Sequence, residues 1–151
     1  MVHALTESHR VLRPHGDVVD LHPERGPGRR RARRLPVYIA AGHRLIPAGT
    51  LPEPADYYRR YLAADRAVER ILRDGLFTLQ AREVFPLRYY FRSLLAMEAT
   101  LEKEWTGMTL GETLHRRLRT LLRSRPQAQI VVVEPFRLNV LGSASRRPGG
   151  A

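Results

Sequence analysis

Between Ala4 and Leu21 the chain passes from a helical pattern to a strand pattern across one tight turn, and this joint constrains its fold more than any other stretch. Leu5, Val11 and Leu12 recur at spacings that a helix brings to one face, and Pro14 ends the run. Pro14-His15-Gly16 reads as a turn in which Gly16 is free to take positive φ. Asp17 to Leu21 is short, β-branched and bounded by turn residues, which predicts a strand closed by His22-Pro23. A helix delivered by a turn into an apolar strand is how an α/β layer is built.

The rest of the chain continues the alternation. Glu24 to Arg34 reads as a loop, since Gly26-Pro27-Gly28 forbids regular structure and Arg29, Arg30, Arg31, Arg33 and Arg34 repel one another. Val37 to Ala40 and Arg44 to Ile46 flank Gly42-His43 as a small hairpin, which Pro36 and Pro47 should confine to an edge. Asp56 to Asp74 has the strongest helical period, with Tyr57, Tyr58, Tyr61, Leu62, Val68, Ile71 and Leu72 on one side and Gly75 at the C-cap position. Phe77 to Tyr90 reads as a long strand in which Phe77, Leu79 and Ala81 alternate with polar Thr78, Gln80 and Arg82, with a bulge or break at Phe85-Pro86. Ser93 to Trp105 is helical, with Leu94, Met97, Leu101 and Trp105 inward. Thr109-Leu110-Gly111-Glu112 has capping-box spacing and introduces a helix striped by Leu110, Leu114, Leu118, Leu121 and Leu122. Gln129 to Leu141 is a second long strand, interrupted at Glu134-Pro135, and residues 143–151 form a disordered basic tail.

Composition limits the function classes. The 151 residues suffice for one domain with a sizeable core, here taken as residues 1–142. No apolar run approaches the roughly 20 residues that span a bilayer, so no membrane partner is expected and the cytoplasm is the expected compartment. Without cysteine there is no disulfide, thiolate nucleophile or cysteine metal site. The net charge of +11 favours phosphate-rich partners, and Lys103 is the only lysine, so the basic groups are otherwise guanidiniums.

The helix, turn and strand carry Glu7-x-x-Arg10-Val11-Leu12-Arg13-Pro14-x-Gly16 ahead of Val18-Val19, and this resembles the middle of a class I S-adenosylmethionine-dependent methyltransferase, where it leads into the fifth strand. The family has two glycines after the proline; His15 stands in place of the first. The resemblance extends from Ala4 to about Leu141, because in that family the last two strands form an antiparallel pair at the sheet edge with helices between them. It implies an incomplete Rossmann-like domain: a small mixed sheet of one short strand plus a long antiparallel pair, with covering helices. It also implies that S-adenosylmethionine is held by earlier strands, through a glycine-rich loop and an acidic residue, which this chain does not contain. Gly26-Pro27-Gly28 is no substitute, since arginines follow it instead of a helix. The chain alone is therefore expected to bind no cofactor and to be catalytically incompetent.

Few residues present themselves as chemistry. His9, His15, His22, His43 and His115 lack metal-ligand spacing and read as surface histidines, although His15 could line a pocket mouth. Asp17 and Asp20 read as residues bracketing the first strand, and the glutamates show no acid–base pairing. By the resemblance, Tyr57, Tyr58 and Tyr61 would help shape a methyl-acceptor pocket; by spacing alone they are a core stripe. Arg29, Arg30, Arg31, Arg33 and Arg34 are candidate anion-binding residues. No aromatic ring interrupts that run for base stacking.

Two functions follow as expectations. The first is a truncated or split methyltransferase-like protein, whose 18–21 strand edge would associate with a separate N-terminal half or a second copy. The alternative is a small basic protein that uses its arginine surface on nucleic acid, and a third reading is a scaffold remnant paired with another chain.

Overall fold

The computed structural model describes residues 1–24 and 33–143, so Arg29, Arg30, Arg31, the Gly26-Pro27-Gly28 segment and the tail from Ala144 lie outside the described residues, as does the side chain of Tyr58. The protein is α/β. Its elements run α1 (Val2–Val11), β1 (Asp17–Pro23), β2 (Arg34–Ala41), β3 (Arg44–Pro52), α2 (Ala55–Arg73), β4 (Phe77–Phe91), α3 (Leu94–Lys103), α4 (Glu112–Arg123) and β5 (Gln129–Ser143). They divide into two compact units, the first of residues 1–25, 59–85 and 136–151, the second of residues 26–58 and 86–135. Among the described residues, no helix is long and apolar enough to cross a membrane.

In the first unit, α1 stops because Pro14 disfavours helical backbone at the residue before it, and Leu12 is already extended at ψ 135°. The Gly16 N–H then donates to the Arg13 carbonyl at 2.9 Å, closing a turn with Pro14 second and His15 third. His15 takes φ 63°, the positive value that a type II turn demands at that place. The glycine is thus not the residue with positive φ, contrary to the sequence reading. Gly16 is needed for closeness instead: a Cβ there would lie 2.9 Å from Leu12 Cγ.

Helix α2 ends in a Schellman motif. Leu76 N–H donates to the Ile71 carbonyl and Gly75 N–H to that of Leu72, with Gly75 at φ 72°. Its buried stripe of Ala67, Val68 and Ile71 packs with Leu5, Phe77 and Leu141 to form the core of this unit. The imidazole of His9 meets the Phe77 ring edge-on at 5.1 Å.

Strand β5 pairs antiparallel with β1, Asp17 opposite Gly142 through Pro23 opposite Phe136. It also pairs with β4. Thr78 Oγ1 donates to the Gly142 carbonyl, Arg82 Nε to Asn139 Oδ1, and Phe85 faces Phe136. Contacts descend β5 as they climb β4, so this pair is antiparallel as well. One stretch of β5 therefore lies between β1 and β4, which run in the same direction and so require a crossover that contains α2. Of the apolar phase Phe77, Leu79 and Ala81, only Phe77 is buried; among the described residues the strand partner of β4 is β5.

The second unit contains a longer hairpin than the sequence suggests, and it is not confined to an edge. Strand β2 pairs with β3 on one side and, through Val37 to Ala40, with Gln129 to Val132 of β5 on the other. Pro36 is tolerated because it precedes the β5 ladder. Pro47 sits at a register shift, where Val37 faces Gly49 and Tyr38 faces Pro47. Neither expected strand break occurs. Pro135 falls after the β2 ladder, which ends at Val132, and before the β1 ladder, which starts at Phe136, so neither needs its missing N–H. Helices α3 and α4 close a core that includes Leu35, Ile39, Leu51, Met97, Leu118 and Ile130. Ser93 caps α3 by accepting from Ala96 N–H at 3.1 Å. The expected capping box on Thr109 does not form: α4 starts one residue after Gly111, whose position has no side-chain cap.

Candidate functional site

The polar residues of β1 occupy its inward face. Strand alternation puts Asp20 and His22 on the side of Val18, and the register sets Asp20 opposite Asn139 and His22 opposite Arg137. Helix α2 delivers Asp65 to the same place from within its buried stripe. His22 Nδ1 lies 3.0 Å from Asp20 Oδ2, and its Nε2 lies 3.0 Å from Asp65 Oδ1. Arg137 joins Asp65 at 2.7 Å to Glu24 at 2.5 Å, while Asn139 Nδ2 donates to Asp20 at 2.7 Å. His22, Asp65 and Asn139 are buried. His22 is thus no surface histidine, and Asp20 is no turn residue.

This geometry favours the doubly protonated ring. An ionised carboxylate only accepts, so both imidazole nitrogens donate and the ring is an imidazolium. The bond to Asp20 raises the His22 pKa, burial opposes it, and Asp65 adds to the rise. For Asp20, burial alone would push the pKa up. Hydrogen bonds from His22 and Asn139 outweigh it and hold the carboxyl below its ordinary value. In that form neither ring nitrogen has a lone pair for a metal or for abstracting a proton. The cluster is an ionic clasp joining β1, α2 and β5. Among the described residues, no group of three or more His, Cys, Asp or Glu is placed to hold a metal.

A second cluster lies in the other unit. The Arg33 guanidinium donates to Glu53 and Glu134, and Tyr89 Oη donates to Glu134 Oε2 at 3.0 Å. Burial raises the pKa of Glu134 against the opposing pull of Arg33 and Tyr89. Burial, then the neighbouring Glu134, raises that of Tyr89. The Tyr89 ring packs edge-on against Trp105 at 4.7 Å.

Of the sequence candidates, Arg33 is consumed by this second cluster and is not part of a solvated loop. Arg34 is exposed at the start of β2, and Arg29, Arg30 and Arg31 lie outside the described residues. Tyr57 packs on the second unit's core and donates to the Thr106 carbonyl at 3.1 Å; Tyr61 is half-buried in the first unit.

The remaining feature is the outer side of β1. Its only strand neighbour among the described residues is β5, so one edge carries backbone groups without a strand partner. Val19 is 62% exposed and Leu21 is 52% exposed, both on the face opposite the clasp. Their cross-strand partners Val140 and Leu138 are half-buried, which extends the apolar surface. No protein-family model, curated protein or solved structure matches this chain.

Proposed function

We propose that this chain is the C-terminal half of a methyltransferase-like domain, completed by strands that pair along the outer edge of β1 and carry the S-adenosylmethionine site. The observation that supports it most is the open β1 edge beside exposed Val19 and Leu21. In the family the fifth strand is interior, and the strand in that role here has, among the described residues, a neighbour on one side only. Two further features agree. β4 and β5 form an antiparallel pair with α3 and α4 between them in sequence, and His15 holds positive φ where the family places a glycine. The clasp then has a clear task, since it anchors β1 to β5 and α2 while its other edge waits for a partner.

Isothermal titration with S-adenosylmethionine should give no saturable heat for the 151-residue chain. The three forward frames preceding Met1 should encode a strand, a glycine-rich loop and a helix, and co-expression of that segment should yield a one-to-one complex that binds the cofactor. Micromolar binding by the chain alone, or frames without such a segment, would overturn the proposal.

A second reading has its own observation. Arg116, Arg117, Arg119 and Arg123 are exposed along α4 in a chain of net charge +11, a surface suited to a nucleic-acid backbone.

A further inference from the structure

The first unit also holds a groove of about 610 Å³ between the start of α1 and the side of α2. Arg59, Arg66 and Arg70 line it, with Leu62, Ala63 and Ala67 beside them. Positions i, i+7 and i+11 fall close to whole turns, so these arginines follow one side of α2 over about 16 Å. The alanines are the reason there is space: small side chains beside a helix–helix crevice leave it unfilled. The volume lies within the roughly 300–1,000 Å³ typical of small-molecule sites.

Two properties define the occupant. The floor is apolar, with Ala67 buried and Leu62 half-buried, and it would reward an alkyl chain. The rim is cationic. Arg70 is engaged by Asp74 only at 3.5 Å, and both side chains are more than half exposed, so that pair is readily exchanged for a better anion. A single-stranded nucleic acid would want aromatic rings between the arginines, and the described lining includes none.

We propose that this groove binds a single-chain anionic amphiphile, its alkyl chain along Leu62, Ala63 and Ala67 and its phosphate or carboxylate head at Arg66 and the flanking arginines. The inference is independent of the methyltransferase reading, since the groove uses neither the β1 edge nor the clasp.

The test is titration of the full chain with monomeric dodecyl phosphate. One-to-one saturation is expected, with binding at least about tenfold weaker for dodecanol, which has the tail and no charge. Inorganic phosphate, the head without the tail, should not bind. Arg66→Ala should weaken dodecyl phosphate about tenfold. Ala63→Trp, at an exposed position where the fold tolerates bulk, should abolish binding by filling the groove while circular dichroism stays unchanged. Phosphatidylglycerol vesicles separate a free amphiphile from a bilayer lipid, and no pelleting with them is expected. Dodecyl phosphate binding that survives Ala63→Trp, or inorganic phosphate binding as tightly, would overturn the proposal. Vesicle pelleting lost in Ala63→Trp, or single-stranded DNA binding lost in Arg66→Ala, would overturn it in favour of a membrane or a nucleic acid.

Discussion

Replacing His22 with leucine removes the one cation that Asp20 and Asp65 share across the clasp, and the consequence follows from burial. His22 is 7% exposed and Asp65 is 4% exposed, so water cannot take over the role of the imidazolium. Removing one partner of a buried ion pair typically costs about 3–5 kcal/mol, and the loss here falls toward the lower end because Asp65 keeps Arg137 and Asp20 keeps Asn139; that is still a large share of the roughly 5–15 kcal/mol that holds a domain folded. With a urea slope of about 2 kcal/mol/M, the midpoint should fall by roughly 1.5–2.5 M. Far-UV circular dichroism is the suitable probe, because the single tryptophan, Trp105, belongs to the other unit. The pH dependence supplies a sharper criterion. His22 has a raised folded pKa, so its contribution is complete below the unfolded value of 6.5 and is lost as pH rises through the folded value. Asp20 has a lowered folded pKa, so its contribution is present above 3.8 and is lost as pH falls through its folded value. Wild-type stability should therefore hold between these limits and decline above them, by at most about 1.4 kcal/mol per pH unit for one proton. His22→Leu should lack that alkaline decline. A loss under 1 kcal/mol, or parallel wild-type and variant curves on the alkaline side, would refute the assignment of an imidazolium clasp.

His15→Gly should stabilise the protein by roughly 0.5–1 kcal/mol, because it relieves a side chain at φ 63° and costs only unfolded-chain entropy. Thermal unfolding would show a midpoint about 1–4 °C higher, and a fall would contradict the turn geometry. Leu118→Ala, at a fully buried position of the second core, should cost about 2–5 kcal/mol by urea unfolding. Binding to duplex DNA should be blind to sequence and fall steeply with added salt in a retention assay; tight binding to one sequence at high salt would place the nucleic-acid reading first.

What could be read from the sequence is what depends on local period. Helix α2 was expected over Asp56 to Asp74 and runs over Ala55–Arg73, with Gly75 at its C-cap, because seven apolar positions and one glycine all point to the same element. The prolines misled for a reason that is not local. A proline breaks a strand only where its missing N–H is needed, and that depends on the neighbouring strand. Pro86 and Pro135 look like interruptions and Pro36 like the mark of an edge strand, yet β2, β4 and β5 run through them, with Pro36 and Pro135 outside the β2–β5 and β1–β5 ladders that would have needed the N–H. The clasp stayed hidden for the same cause. Asp20 and His22 read as residues flanking a short strand, and Arg137 and Asn139 lie in another, more than a hundred positions away. Only the register brings the pairs opposite each other, and only the turn of α2 adds Asp65. A signal was nonetheless present. Each strand carries a polar i, i+2 pair, acid with imidazole in one and guanidinium with amide in the other, and each pair alternates with apolar residues on the opposite phase. Such a strand can turn its apolar face to the core, or its polar face if a complementary partner neutralises it. Two strands with complementary pairs in one chain make the second solution possible, and it leaves the apolar residues outward. Val19 and Leu21 are exposed because Asp20 and His22 are not. The buried clasp and the uncovered face of β1 are therefore one structural choice, and whatever covers that face does so without disturbing the ions beneath it.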